Sequence, residues 1–166
     1  MFLEEIFPTP IWGFDLNMDV DSIKYWCYSC MKENPGRVIS NVGGWQSEDY
    51  REFGNTPLTE LVLYIVRESH NIANDIGIPK GDRWIENLWL NINPKYSYNQ
   101  VHVHPEARLS GVFYVSAPEN SGDICFTRSG GYALGTAAPN STRYSSCEWC
   151  YPPKKNRLLI FPAWQE

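Results

Sequence analysis

The chain has 166 residues and a mass of 19.1 kDa, with 14 Lys+Arg against 19 Asp+Glu and a formal charge of -5. That length suits a single domain, 1–166, and the acidic balance excludes the clustered positive footprint of a nucleic-acid binder. Its 43% apolar content excludes a disordered chain, the apolar run Leu61 to Val66 is too short to span a bilayer, and Glu4 and Glu5 stand where a signal peptide needs positive charge. The expectation is a cytoplasmic protein with neither a membrane nor a nucleic-acid partner.

In chain order, Leu3 to Leu16 is aromatic and broken by prolines, so it reads as an extended edge segment. Asp19 or Asp21 can cap a short helix that runs to about Glu33, where Asn34-Pro35-Gly36 stops it. Ser40 to Ser47 reads as a glycine-bearing loop around Gly43-Gly44-Trp45. A second helix is predicted from Thr56, with Pro57 in the first turn and Gly77 closing it. Leu58, Leu61, Val62, Ile65, Ser69, Ile72 and Ile76 form its apolar face.

After Pro79 the period changes from helical to alternating. From Trp84 to Asn93, Leu88, Leu90 and Ile92 occupy one parity, and Asn87, Trp89, Asn91 and Asn93 the other. That predicts a strand whose polar-aromatic face could line a cavity or simply be wetted at an edge. Further strands are predicted at Gln100 to His104, Leu109 to Ser116, Asp123 to Thr127 and Arg157 to Pro162, with a turn at Ser129-Gly130-Gly131. Residues 1–80 then hold an extended segment and helices, and 81–166 an antiparallel β body. Fourteen per cent aromatic residues suit that β-rich class.

The five cysteines fall as Cys27-x-x-Cys30, Cys125 and Cys147-x-x-Cys150. Two such pairs could hold tetrahedral zinc, but about 116 residues separate them, where the compact motif has ~15–20. Free thiols in a reducing compartment are the simpler expectation.

Three histidines are present. His70 lies in the second predicted helix beside Ser69 and Asn71, facing solvent. His102 and His104 stand two apart in a predicted strand, so they project to one side while Val101 and Val103 face apolar packing. Two imidazoles about 7 Å apart along a strand can chelate one metal ion, and Glu106 continues their parity. The bland alternative is a pair of surface histidines beside a turn.

Several blocks occur here in a specific order. They are Leu3-Glu4-Glu5-Ile6-Phe7-Pro8-Thr9-Pro10-Ile11, Ser40-Asn41-Val42-Gly43-Gly44-Trp45-Gln46-Ser47, Trp89-Leu90-Asn91, His102-Val103-His104-Pro105, Leu109 through Val115, and Phe161-Pro162-Ala163-Trp164. In this the chain resembles the 2-oxoglutarate/Fe(II)-dependent oxygenases of bacteria and tailed phages. The resemblance implies a double-stranded β-helix, a cupin-like jelly-roll barrel with packed helices. It also implies Fe(II) as cofactor, 2-oxoglutarate as cosubstrate, and hydroxylation of a small-molecule or protein substrate that the sequence does not specify.

By the same resemblance the metal ligands are either His104 and Glu106, with His104-Pro105-Glu106 matching a His-x-Glu pair and His102 an alternative or supporting ligand, or His102 and His104 together. The preferred set holds both histidines, with Glu106 as the carboxylate. Tyr114 could reach a cosubstrate carboxylate with its phenol, and Trp89 and Asn91 would line the barrel mouth; ordinary packing explains each of the three as well. Arg108, which precedes its strand, is expected to face solvent. The family's distal histidine follows the Phe-Pro-x-Trp strand by about three residues, with a basic 2-oxoglutarate ligand later still. The sequence stops at Trp164-Gln165-Glu166. The expectation is therefore either a piece lacking its closing C-terminal strands or a non-catalytic jelly-roll module with an incomplete metal site.

Overall fold

The computed structural model describes residues 1–79, 85–128 and 142–166. Among these residues two helices, both in the first half, and nine short strands follow one another, every strand pairing is antiparallel, and the strands do not close into a barrel. No helix among these residues is long and apolar enough to cross a membrane. The chain divides into two compact units, one of Met1–Leu16 with His102–Glu166 and one of Asn17–Val101. The boundary expected at residues 80 and 81, the start of the predicted strand at Trp84 and the turn at Ser129-Gly130-Gly131 lie outside the described residues.

In the unit Asn17–Val101, α1 spans Val20–Glu33 and is capped as the sequence predicts. The Asp19 carboxylate accepts hydrogen bonds from the amides of Asp21 and Ser22, both at 3.2 Å, satisfying donors that the first turn cannot. Val20, Ile23 and Cys27 are its buried stripe. Gly36, with φ of 72°, ends the run after Pro35. The second helix, α2, spans Thr59–Asp75, three residues shorter at its start than predicted. Thr56 and Pro57 form a lead-in turn instead, in which Thr56 O accepts from the Thr59 amide at 3.1 Å. Of its predicted face, Leu58, Leu61, Val62, Ser69 and Ile72 are buried, Ile65 is half-buried, and Ile76 is exposed just before Gly77, where φ is 71°.

The stretch read as a loop at Ser40 to Ser47 is a pair of minimal strands around Gly43-Gly44. One, β2 (Asn41–Val42), pairs with β5 (Tyr98–Asn99), and the other, β3 (Trp45–Gln46), pairs with β4 (Asn91–Ile92). Buried Asn41 holds the turn together. Its side chain accepts from Ile39 N and donates to Arg37 O and Gly44 O, at 2.9, 3.1 and 2.9 Å.

The predicted Trp84–Asn93 strand shrinks to β4 because its partner is bulged. Gln46 opposes Asn91, and Ser47 bonds to Leu90, but Tyr50 then bridges Leu88. Glu48 and Asp49 together stand opposite the single Trp89, a β-bulge that breaks the regular ladder. Asp49 turns to Arg37 and also accepts from Asn87 Nδ2 at 3.1 Å. Burial works to raise the Asp49 carboxyl, but the Arg37 and Asn87 hydrogen bonds outweigh it and leave it lowered.

The other unit is built on a three-stranded sheet ordered β1-β9-β6, from Trp12–Asp15, Arg157–Pro162 and Leu109–Phe113. The first of these is the edge strand expected within Leu3 to Leu16. The central strand, β9, is buried from Leu158 through Pro162, as its continuous apolar run requires of a strand covered on both faces. A separate ribbon pairs β7 (Ile124–Thr127) with β8 (Glu148–Tyr151). The ribbon meets the sheet through aromatic rings: Phe126 packs edge-on to Phe161 with centroids 4.9 Å apart, and to Tyr151 at 6.0 Å.

Candidate functional site

The two histidines do come together, though not on a strand. The predicted strand Gln100 to His104 is absent; the segment after β5 is irregular and turns at Pro105-Glu106. Proline has no N–H to give a ladder, and Glu106 adopts a left-handed backbone with φ of 75°. Val101 and Val103, expected in apolar packing, are 69% and 40% exposed. Main-chain bonds to the end of β9 hold the segment instead: His104 N donates to Ala163 O at 3.0 Å, and Ala163 N to Arg108 O at 3.1 Å.

This tether brings the rings into contact. The His102 and His104 imidazoles meet edge to face with centroids 4.9 Å apart, and His104 leans on the buried Phe161 ring at 6.5 Å. His102 is exposed and His104 half-buried, so the pair opens at the surface of its unit. Burial lowers the His104 pKa, and the neighbouring His102 adds to the effect, so the neutral, lone-pair-bearing form is favoured there.

Glu106 is exposed on its turn. Among the described residues, the one cluster of three donor side chains is Cys125, Glu148 and Cys150, so Glu106 does not gather with the histidines into such a set. Tyr114 extends the β6–β9 ladder by one step, donating to Arg157 O at 2.9 Å and accepting from Asn156 N at 2.8 Å. It shares a sheet face with Ser110, whose cross-strand partner is Phe161, but lies four residues, about 13 Å, farther along. Burial pushes its phenol up to about 12, with Asp123 contributing. Arg108 is exposed, as expected. Half-buried Trp89 and exposed Asn91 belong to the unit Asn17–Val101. His70 is half-buried rather than solvent-facing, and its Nδ1 lies 2.8 Å from Val66 O.

The expectation of free thiols needs correcting at two positions. Cys125 and Cys150 oppose each other across β7 and β8 and form a disulfide. Cys27, Cys30 and Cys147 are free. The pairing has no signature in the sequence because Glu148-Trp149-Cys150-Tyr151 lacks the alternation that marks a strand, and its burial does not alternate.

Residues 87–166 match the family model described as "Putative 2OG-Fe(II) oxygenase". The match supports an oxygenase domain of that family over the segment carrying the histidine pair, β6 and β9. No curated protein matches the chain. A facial iron centre takes two histidines and one carboxylate, and the imidazole pair lies inside the matched segment. The described residues do not present the carboxylate beside it.

Proposed function

We propose that residues 87–166 form the jelly-roll core of a 2-oxoglutarate/Fe(II)-dependent oxygenase, with His102 and His104 as two of its metal ligands. The observation that carries this reading is the ring contact of His102 and His104 inside the matched segment. Iron in such a centre supplies the oxidising chemistry that couples 2-oxo acid decarboxylation to hydroxylation of a second substrate. The residues' own part is preparatory. Burial favours the neutral, ligating form of His104, and Phe161 packs beside its ring. Tyr114 keeps its phenolic proton as a donor for a carboxylate lying farther along the same face.

Anaerobic Mn(II) titration of the disulfide form tests the reading. His104→Ala and His102→Ala should each weaken binding by about tenfold or more, the range seen when ligands lose their ordering partners. Affinity indifferent to both substitutions overturns it. A second reading, a non-catalytic jelly-roll binding module, is favoured by Glu106 standing outside any three-donor cluster. Metal binding that depends on the histidines, without 2-oxoglutarate consumption at saturating Fe(II), selects that second reading.

A further inference from the structure

We propose that Cys125, Glu148 and Cys150 form a redox-gated site for a soft divalent cation such as Zn(II), closed as the disulfide and open as the dithiol. The site lies on the β7–β8 ribbon, away from the histidine pair in sequence and in chemistry. Cys125 stands directly opposite Cys150, with Cα atoms 4.0 Å apart. Glu148 precedes Cys150 by two residues on the same strand, so its side chain leaves the same face. One ligand atom from each of the three lies within 4.8 Å of the others. Two soft thiolates and a carboxylate suit Zn(II), with water completing the tetrahedron.

Opening the site demands little of the backbone. Tetrahedral Zn–S bonds of about 2.3 Å place two sulfurs about 3.8 Å apart, a separation that side-chain rotation can supply. The ribbon keeps other ties when the S–S bond is broken: Arg128 N donates to Cys147 O at 2.7 Å, and Arg128 Nε to Ser146 O at 3.1 Å. Cys125 and Glu148 are exposed and Cys150 is half-buried, which gives a reductant and an ion access.

The chemistry balances in two steps. A small dithiol reductant attacks one sulfur as its thiolate, forms a mixed disulfide, and leaves as its own disulfide. Two electrons pass to the protein, which ends with two thiols. Cation binding then displaces both thiol protons to solvent.

Cobalt(II) is the probe, because only sulfur ligation gives thiolate-to-cobalt charge-transfer absorption. The full chain should show that band after reduction and removal of the reductant, and lose it on reoxidation. Zn(II) should displace it. Cys27→Ser/Cys30→Ser/Cys147→Ser, which leaves only the two ribbon thiols, should retain the band. Cys125→Ser should lose it, and Glu148→Gln, which spares the disulfide and serves as the check where Cys125→Ser misfolds, should weaken cobalt binding by about tenfold. No band in the reduced chain overturns the proposal. So does a band that vanishes in the triple variant, or affinity unchanged in Glu148→Gln. Because the histidines give no sulfur band, this result is independent of the oxygenase reading.

Discussion

Ser47 and Leu90 are joined twice: the Ser47 amide donates to Leu90 O at 3.0 Å, and the Leu90 amide donates to Ser47 Oγ at 2.9 Å. The serine hydroxyl substitutes for a backbone carbonyl where the bulge has carried the strand out of register. Both residues are buried, at 2% and 8% exposure. Ser47→Ala therefore leaves the Leu90 N–H without its acceptor in a dry setting. The expected loss is about 1–3 kcal/mol, read by urea denaturation. Ser47→Thr keeps the oxygen and should recover part of it.

Gly36→Ala should be more damaging than an ordinary loop substitution. The residue has φ of 72°, and an added Cβ would sit 2.5 Å from both Gln46 O and Trp45 Nε1. Neither neighbour can move freely, since Gln46 O accepts from Arg37 N at 2.8 Å and Trp45 Nε1 donates to Asn34 O at 3.0 Å. A loss of about 1–3 kcal/mol is expected from strain and overpacking together. Equal denaturation midpoints for the variant and the parent would refute it.

His104 links stability to pH. Its pKa is lowered from 6.5 in the fold, so below pH 6.5 the unfolded chain binds a proton that the folded chain resists. Its contribution is present above 6.5, declines as pH falls through the interval down to the folded value, and is flat beneath. His104→Gln should remove that component. Denaturation midpoints of parent and variant, compared from pH 7.5 to 5, should converge as pH falls.

The Asp15 carboxylate receives Arg157 Nε at 2.7 Å, Arg157 Nη2 at 3.1 Å and Lys154 Nζ at 2.7 Å. The Arg157 hydrogen bond, reinforced by Lys154, holds the carboxyl well below the usual range. The group is open to solvent, so Asp15→Asn should lower stability only slightly. The difference should shrink further in high salt, because exposed charges are screened. Thermal melts at two ionic strengths check both statements.

Thiol chemistry should separate the free cysteines by rate. Burial, with Cys30 nearby, pushes Cys27 up to about 11, so at pH 8 about one Cys27 in a thousand is thiolate. Exposed Cys147 should be alkylated promptly by iodoacetamide under native conditions and Cys27 only on unfolding. Mass spectrometry of timed aliquots resolves the two.

The regular elements were legible where a local cause acts alone. Asp19 caps α1 by reaching two amides a turn away, and β9 declares itself through five consecutive buried residues. The reading failed where partners distant in sequence decide. The alternation of Leu88, Leu90 and Ile92 is real, yet an extra residue in the facing segment, at Glu48-Asp49, splits the strand. The contact of the His102 and His104 rings has a different cause from the one their spacing suggests. Strand parity does not bring the rings together; a turn at Pro105-Glu106 and a main-chain bond to Ala163 do. That tether lies 59 residues downstream of His104 and has no signature in the local pattern.

The pairing of β1 with β9 sets an order of events at the ribosome. Trp12 and Ile160 are cross-strand partners, so β1 emerges well before its neighbour and must wait for it. The contiguous unit Asn17–Val101 can gather its contacts in the meantime, whereas the sheet forms only once β9 has followed. Until then the aromatic stretch before Asp15 is a bare strand edge, and a chaperone that holds extended apolar segments has its natural hold there.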